Sequence, residues 1–408
     1  MGILSGLKDR LNQESTQREN AGMEKESGVT RLFFATDVHG STACWHKFVN
    51  SAGFYDADVL ILGGDTTGKA IFPIVDEGDR YTYRRQGREH EITSEEELDR
   101  LQGSLADSGY YPYVLDREEY EGLQEDDTGE RQDEIFVAEM NARIEEWISF
   151  AEERLDGTPV YVSPGNDDPF EIDEAWDASD GIDLVEGEVV DIDDEFRMAS
   201  TGWTEPTPWD TDREEERESL RDRLDRVVSK LDDPERAIFN FHEPPYNSQL
   251  DEAPELDEDL RPKFGAQSTE PVGSKAVRDV IEEHQPPLSL HGHIHESRGQ
   301  TEIGRTTAIN PGSVYSEAAL QGAVVDLEPE VNVVGLVRGG SRWTVTIRTQ
   351  PGTRVGQHAK PCESRCYRRD RTRARLRTRP GNRVRTRIRA AGGPDRGGPA
   401  RDRGGRRT

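Results

Sequence analysis

The sequence has few cysteines and no long apolar run, and each shortage excludes a class of protein. Only three of the 408 residues are cysteine, at Cys44, Cys362 and Cys366, which gives neither a disulfide framework nor a Cys-x-x-Cys zinc site. No apolar stretch approaches the ~20 residues of a membrane span, and residues 1–20 lack the apolar core of a secretory signal. We therefore expect a cytoplasmic protein with no membrane partner.

Positive charge is also scarce in most of the chain. The formal net charge is −30, yet residues 341–408 hold 21 Lys and Arg against 4 Asp and Glu, which leaves 31 basic and 78 acidic residues in residues 1–340. So extreme an acidic surface indicates a halophilic protein, because the Debye length falls to about 3 Å at ~1 M salt and self-repulsion is then screened. The same charge makes nucleic acid an unfavourable partner for the body of the protein.

Composition divides the chain into three parts. Residues 1–28 form a polar leader, residues 29–340 carry apolar runs and amphipathic segments, and residues 341–408 alternate Arg with Thr or Gly. The last part has no apolar periodicity and is expected to be a disordered tail. Two interpretations stay open for it. It is a nucleic-acid-binding arm, or, as we favour, the product of a frameshift, fusion or annotation error downstream of about residue 340.

Side chains that bind metal ions follow the ends of five short apolar runs. Val59 to Leu62, closed by Gly63-Gly64, is typical of a buried parallel strand and presents Asp65 at its end. The other runs lead into further candidates, namely Asp37 and His39; Asn166; His242; and His291, His293 and His295. Ligands collect beyond the C-terminal ends of strands in an open α/β sheet, so we expect these side chains, apart from His291, to meet around two metal ions that share Asp65.

A long insert separates Asp65 from Asn166. Three runs, at 71–75, 80–85 and 89–93, predict a β-meander, and helices are predicted over 94–105 and 134–155. We interpret about residues 70–156 as a β-meander and helical cap inserted into the domain. Tyr110 to Tyr113 and the arginines of the meander are candidates for lining a substrate pocket, although surface ion pairs are the favoured role of the arginines.

The five motifs together resemble those of the calcineurin-like metallophosphoesterases. They are Asp37-Val38-His39-Gly40, Gly64-Asp65, Gly165-Asn166-Asp167-Asp168, His242 and Gly292-His293-Ile294-His295, in this order between about residues 31 and 327. The resemblance implies an α/β (α+β) four-layer sandwich, with two mixed β-sheets flanked by helices and a dinuclear metal site at the C-terminal strand ends. It implies that one divalent ion is held by Asp37, His39 and His295, the other by Asn166, His242 and His293, with Asp65 as the bridge.

The resemblance also implies the reaction. It is hydrolysis of a small phosphoester substrate by a hydroxide bridging two divalent ions, with Mn²⁺ the preferred metal and Fe, Zn, Ni or Co as alternatives; the implied catalytic residues are Asp65, Asn166 and Asp167. Many members have His at the position of Asp167, and an ionised Asp cannot protonate a poor leaving group. We therefore expect a preference for phosphodiesters.

Several points stay open at the level of sequence. The alternative functions are a phosphoprotein or nucleotide phosphatase and a metal-binding scaffold without catalysis. The substrate-binding residues are not predicted. His291 either supports the metal ligands or makes a strand-end hydrogen bond, and the loop from Asn310 to Ser313 is expected to shape the rim of the site.

Overall fold

The computed structural model of the chain describes residues 25–257, 260–261, 263, 268–328 and 330–339. The predicted leader lies outside the described residues up to residue 24, and the Arg-rich tail with both of its interpretations lies wholly outside them. Within those ranges, no helix is long and apolar enough to cross a membrane.

The described part of the chain contains 18 strands and seven α-helices. The strands are β1 (Thr30–Ala35), β2 (Val59–Gly63), β3 (Ala70–Asp76), β4 (Tyr81–Arg85), β5 (Arg88–Ile92), β6 (Tyr110–Asp116), β7 (Val160–Ser163), β8 (Asp183–Leu184), β9 (Val189–Asp191), β10 (Arg197–Thr201), β11 (Ala237–Phe241), β12 (Glu252–Pro254), β13 (Thr269–Pro271), β14 (Leu288–Leu290), β15 (Gly299–Ile303), β16 (Thr306–Asn310), β17 (Leu320–Glu328) and β18 (Glu330–Gly339). The α-helices are α1 (Thr42–Tyr55), α2 (Glu95–Asp107), α3 (Arg117–Glu125), α4 (Glu130–Glu152), α5 (Asp173–Asp177), α6 (Arg217–Val228) and α7 (Lys275–His284).

Two mixed six-stranded sheets carry the fold. The first has the order β18-β17-β1-β2-β7-β8, in which β1, β2, β7 and β8 are parallel and β17 and β18 are antiparallel to their neighbours. The second has the order β15-β16-β14-β11-β10-β9, with the four middle strands parallel and the two edge strands antiparallel. The predicted pair of mixed sheets is therefore present.

Three buried apolar clusters show how the sheets and helices pack. Successive side chains of a strand point to opposite faces: Phe33 in β1 joins a cluster with α1 and α4, whereas Phe34 joins residues of the second sheet such as Ile238. The other face of the second sheet forms a third cluster with α6 and α7. In the first cluster, Trp147 of α4 stacks on Trp45 of α1 with ring centroids 5.0 Å apart.

The insert between Asp65 and Asn166 has two parts. Strands β5-β4-β3-β6 form a four-stranded sheet with small apolar clusters of its own, and it contains the predicted meander. Strand β6, parallel to β3, was not predicted. It contains Pro112, which argues against a strand, but β6 lies at the edge of its sheet, where proline is tolerated. Helix α4, which the prediction placed in the same insert, packs with α1 in the first cluster and also contacts the inserted sheet through Ile135 and Phe136.

Candidate metal centre

All seven predicted metal ligands lie in loops that follow strands of the two sheets. Asp37 and His39 follow β1, Asp65 follows β2, Asn166 follows β7, His242 follows β11, and His293 and His295 follow β14. These strands are members of the parallel parts of their sheets. Strands β1, β2 and β7 lie in the first sheet and β11 and β14 in the second, so the site is assembled from both sheets.

One group of side chains contains Asp37, His39, Asp65 and His295, and a ligand atom from each lies within 4.8 Å of the others. The Nε2 atoms of His39 and His295 are 3.0 Å apart. His295 Nε2 lies 3.2 Å from Asp37 Oδ1, and His39 Nε2 lies 3.5 Å from Asp65 Oδ2. Two imidazole nitrogens and two carboxylates therefore converge on one point.

A second group contains Asp65, His242 and His293, again within 4.8 Å of one another. His242 Nε2 lies 3.4 Å from Asp65 Oδ2. The side-chain oxygen of Asn166 lies 2.8 Å from His293 Nδ1, which brings this amide to the same place. Asp65 thus belongs to both groups, as the sequence predicts for a shared carboxylate.

The chemistry of these donors fits divalent cations. His242 Nδ1 lies 2.9 Å from the carbonyl oxygen of Gly63, which only accepts, so Nδ1 carries the donated proton. Its buried Nε2 has no hydrogen-bond partner among the described residues. A backbone carbonyl on one ring nitrogen is the usual support of a metal-binding histidine. Imidazole nitrogen and carboxylate oxygen together suit divalent ions such as Mn²⁺, Fe²⁺ and Zn²⁺.

The carboxylates of the site also change the pKa values of two of its histidines. Burial lowers the pKa of His242, but the nearby carboxylate of Asp65 outweighs burial and raises that pKa above its usual value. Burial likewise lowers the pKa of His295, and the Asp37 carboxylate raises it. The two carboxylates thus favour positive charge beside His242 and His295, whereas burial lowers the pKa of His39 and of His293.

The backbone at the site is held in an unusual conformation. Asp37, His39, Asp65 and His293 have φ values of 53°, 41°, 50° and 65°. Side chains other than Gly reach this left-handed region at a cost, and such strain collects at functional sites. The surrounding loops therefore have to hold these four residues in place.

Two motif glycines allow the loops to approach one another. A Cβ atom on Gly165 would lie 2.1 Å from Asp65 Oδ1, and a Cβ atom on Gly292 would lie 2.4 Å from Asp37 Oδ2. Any side chain at either position would push a candidate ligand out of place. The glycines of these motifs are required by close packing against the carboxylates.

The role of Asp168 was not predicted from the sequence. This fully buried carboxylate accepts hydrogen bonds from the N–H groups of Thr66, Thr67 and Gly165 at 2.8, 2.8 and 2.9 Å, and from the hydroxyls of both threonines. It joins the loop after Asp65 to the loop that carries Asn166. Its place in the third motif was visible in the sequence, but its role was not.

Residues at the predicted rim prove to support the ligand loops. The side-chain amide of Asn310 donates to the carbonyl oxygens of Leu250, Gly292 and Ile294. Ser313 Oγ donates to the carbonyl oxygen of Asp37 at 2.6 Å. This loop thus clamps the backbone on both sides of the site.

His291 does not join the two groups of candidate ligands. Its Nδ1 lies 2.8 Å from the Phe241 carbonyl oxygen and 3.1 Å from that of Glu243, and its Nε2 lies 2.8 Å from Ser289 Oγ. These two carbonyl groups flank His242, so the strand-end hydrogen bonds of His291 also support the backbone of a candidate ligand.

Asp167 forms an ion pair at the edge of the site. Its N–H donates to Asp65 Oδ1 at 3.0 Å, and its carboxylate lies 2.5 Å from Lys69 Nζ. Burial raises the pKa of Asp167, but the charges of Lys69 and His39 outweigh burial and hold that pKa below its usual value. Asp167 is therefore ionised at neutral pH. Beside it, the ring of Tyr315 packs on the ring of His39, with centroids 4.6 Å apart.

The aromatic and basic residues proposed for a pocket have other contacts. Tyr111 is buried, its hydroxyl accepts the N–H of Gly68 at 3.0 Å, and the guanidinium of Arg143 lies 4.4 Å from its ring centroid. Arg80 pairs with Asp79 and Glu91 at the surface of the meander. Tyr111 therefore links the inserted sheet to the loop after Asp65, and Arg80 makes the ion pairs favoured for the arginines.

Comparisons with known proteins show relatives without assigning an activity. No family model matches the chain. The uncharacterized protein MJ1162 of Methanocaldococcus jannaschii is 32% identical over 162 residues, which span 39% of this chain and 66% of that relative. The crystal structure of TT1561 of Thermus thermophilus aligns over 77% of this chain and 100% of its own, with 16% identity and a TM-score of 0.43.

A third similarity is weaker. A conserved uncharacterized protein of Streptococcus pneumoniae, described as a predicted phosphoesterase, aligns over 79% of this chain and 95% of its own, with 10% identity and a TM-score of 0.27. TM-scores below 0.5 carry no conclusion about fold or activity, so the case for a function depends on the site itself.

Proposed function

We propose that this protein is a metal-dependent phosphoesterase that binds two divalent ions, preferably Mn²⁺, at the edge of a four-layer α/β sandwich. The observation that supports it most is the position of Asp65. Its carboxylate belongs to two groups of candidate ligands. One group also contains His39 and His295, and the other contains His242 and His293, with the Asn166 amide beside His293. A carboxylate between two ligand groups would hold two ions close together, and such two-metal sites catalyse displacement at phosphorus in phosphatases and nucleases.

The two groups of neighbouring side chains support the ligand roles that the family resemblance implies. Asp37, His39 and His295 would hold one ion, Asn166, His242 and His293 the other, and Asp65 both. When bound, such ions lower the pKa of water and neutralise phosphoryl oxygens.

The chain's own residues fix the geometry around that centre. The Asp167 N–H orients one oxygen of Asp65, at 3.0 Å. The amide nitrogen of Asn166 donates to Thr211 Oγ1 at 2.9 Å, which aims the amide oxygen in the opposite direction, toward His293. Both ligands are therefore oriented before any substrate arrives.

Asp167 supports a preference for phosphodiesters. Because this carboxylate is ionised and paired with Lys69, it has no proton to give to a departing alkoxide. Esters whose leaving groups are acidic need no such proton, and diesters carry one negative charge fewer than monoesters beside an anionic residue. We expect diesters, and esters with acidic leaving groups, to be cleaved fastest.

The test uses the full chain with Mn²⁺ in molar salt and compares bis-p-nitrophenyl phosphate with p-nitrophenyl phosphate and with an alkyl phosphomonoester. The proposal expects diester hydrolysis, its loss in Asp65→Asn, and a gain of monoester activity in Asp167→His. Faster hydrolysis of alkyl monoesters would favour the alternative of a phosphoprotein or nucleotide phosphatase. Metal binding without hydrolysis of any ester would favour a scaffold without catalysis.

A further inference from the structure

The hairpin between β4 and β5 brings two arginines face to face. Gln86 and Gly87 at its turn both have positive φ, at 52° and 75°, as a two-residue hairpin turn requires. The register places Arg85 directly opposite Arg88, so both side chains lie on the same face of the inserted sheet. Like charges directly opposite each other destabilise a strand pair. The tip of this hairpin therefore carries a repulsion that a bound anion would relieve.

Neither of these arginines has an anionic partner in the described part of the chain. Both residues are exposed, and no described residue forms an ion pair or a hydrogen bond with the guanidinium of Arg85 or Arg88. Arg80, at the other end of the hairpin, pairs with Asp79 and Glu91. Acidic side chains are abundant in this protein, with 78 in residues 1–340. Two neighbouring arginines without an acidic partner are therefore available to an anion from outside the chain.

Two features show which end of the inserted sheet adjoins the candidate metal centre. A Cβ atom on Gly109, directly before β6, would lie 2.3 Å from the carbonyl oxygen of His39. Strand β3 begins only five residues after Asp65. Because β3 and β6 are parallel, their N-terminal ends lie at the same end of the sheet. That end adjoins the loops that carry the candidate ligands.

The two arginines lie at this same end of the sheet. Strand β4 is antiparallel to β3, so the C-terminal end of β4 and the hairpin tip return toward the start of β3. Arg85 is on the strand next to β3, and Arg88 is on the strand after that. With adjacent strands about 4.8 Å apart and residues about 3.4 Å apart along a strand, both backbones lie within roughly 12 Å of Ala70. The arginines are thus close enough to contact the far end of a ligand held at the metal centre.

Aromatic rings cover the face of the sheet between the metal centre and the arginines. The ring centroid of Phe72 lies 6.1 Å from that of Tyr110 and 5.8 Å from that of Tyr83. Tyr83 stacks on His90, its cross-strand partner, with centroids 5.0 Å apart. The ring of Tyr110, beside the candidate metal centre, is exposed. These rings give the organic part of a ligand an apolar surface on which to pack.

We propose that the guanidinium groups of Arg85 and Arg88 bind a second phosphate of the substrate, while the metal centre holds the phosphoester that reacts. This inference rests on the proposed function and deepens it, because it names the substrate class. The substrate is a phosphoester whose organic group carries another phosphate at its far end. Guanidinium suits this role because its N–H donors match two phosphate oxygens at once. Neither arginine transfers a proton.

The experiment titrates the Mn²⁺-loaded full chain in molar salt with alkane bisphosphonates, which carry a phosphonate at each end and resist hydrolysis. A series of increasing linker length is compared by calorimetry with alkylphosphonates of the same lengths. We expect an alkylphosphonate to bind at the metal centre alone. A bisphosphonate should bind about 10- to 100-fold more tightly once its linker is long enough to reach the arginines. Bisphosphonates with shorter linkers should show no such gain.

Three variants test the assignment of the arginines. Arg85→Gln and Arg88→Gln should each lower the affinity for the long bisphosphonate about three- to tenfold, and the double variant should remove the gain. None of these changes should alter the affinity for the alkylphosphonate. Arg226→Gln is the matched control and should behave as the wild type. Arg226 is also exposed and has no ion pair among the described residues, but it lies on α6, which packs on the second sheet.

The outcomes separate this inference from the proposed function. If the wild type hydrolyses the diester but long bisphosphonates bind no more tightly than alkylphosphonates, the inference is wrong and the proposed function stands. If no ester is hydrolysed but the gain is present and is lost in the double variant, the proposed function fails and the phosphate site stands. A gain that persists in the double variant would place the second phosphate elsewhere and overturn the assignment. Absence of binding in both series would overturn it as well.

Discussion

Replacing Asp168 with Asn should destabilise the protein although it changes one buried group by a single atom. Oδ2 of Asp168 accepts the N–H groups of Thr66 and Gly165, and Oδ1 accepts the Thr67 N–H and the hydroxyls of Thr66 and Thr67. Hydroxyls can turn to accept a bond, but backbone N–H groups cannot. The new NH₂ group should therefore take the place of Oδ1.

The magnitude follows from the bonds that remain. The Thr67 N–H loses its acceptor, which costs about 1–3 kcal/mol for a buried donor. The two N–H bonds at the other oxygen persist with a neutral acceptor and weaken by roughly 0.5–1.5 kcal/mol each. The smaller desolvation cost of a neutral side chain offsets part of this loss. We expect the free energy of unfolding to fall by about 2–5 kcal/mol.

The assay is urea unfolding of both proteins in molar salt with a chelator, followed by tryptophan fluorescence. The chelator removes any contribution of bound metal to stability. Asp79→Asn is the matched control, because Asp79 is exposed and pairs only at the surface with Arg80. It should change stability by less than about 0.5 kcal/mol. A change as small as this in Asp168→Asn would refute the role given to Asp168.

Three further predictions concern the site, the core and the surface. Gly165→Ala should weaken Mn²⁺ binding at least roughly tenfold in calorimetry, because its Cβ displaces Asp65; unchanged affinity would contradict the close-approach argument. Trp147→Ala should lower the free energy of unfolding in urea by about 3–5 kcal/mol, because Trp147 is buried and stacks on Trp45. A decrease of less than about 1 kcal/mol would contradict this packing. Dilution from molar to 0.1 M salt should lower Tm as charge repulsion among the 78 acidic residues of the body returns; a Tm that stays constant or rises would reject halophilic adaptation.

The sequence predicted the site better than it predicted the support of the site. Apolar runs that end in Asp65, Asn166 or His242 are informative because the C-terminal ends of parallel strands gather at one edge. That rule does not depend on which strands are neighbours. It could therefore predict that residues from two separate sheets lie close together. The gathering of the candidate ligands around Asp65 was expected on this ground, whereas the pair of mixed sheets was expected from the family resemblance alone.

The residues that hold the ligand loops in place could not be predicted, because residues of the same types are common in loops throughout this chain. Asp168 is one of many acidic loop residues in this chain, and only the folded backbone shows three N–H groups turned toward it. The pair of Lys69 and Asp167 lies 98 residues apart in sequence, on two loops whose contact the sequence does not specify. Strand β6 was missed because Pro112 argues against a strand unless the strand is known to be at an edge.

The most direct test of the central claim is the number and affinity of Mn²⁺ ions bound by the full chain, measured by calorimetry with metal analysis. The account predicts two ions per chain, and it predicts that Asp65→Asn weakens both. His295→Ala and His242→Ala should each lower the affinity for one of the two ions, and the affected ion should differ between the two variants. A single bound ion, or an Asp65→Asn variant that weakens only one of two, would contradict a carboxylate shared between two metal sites.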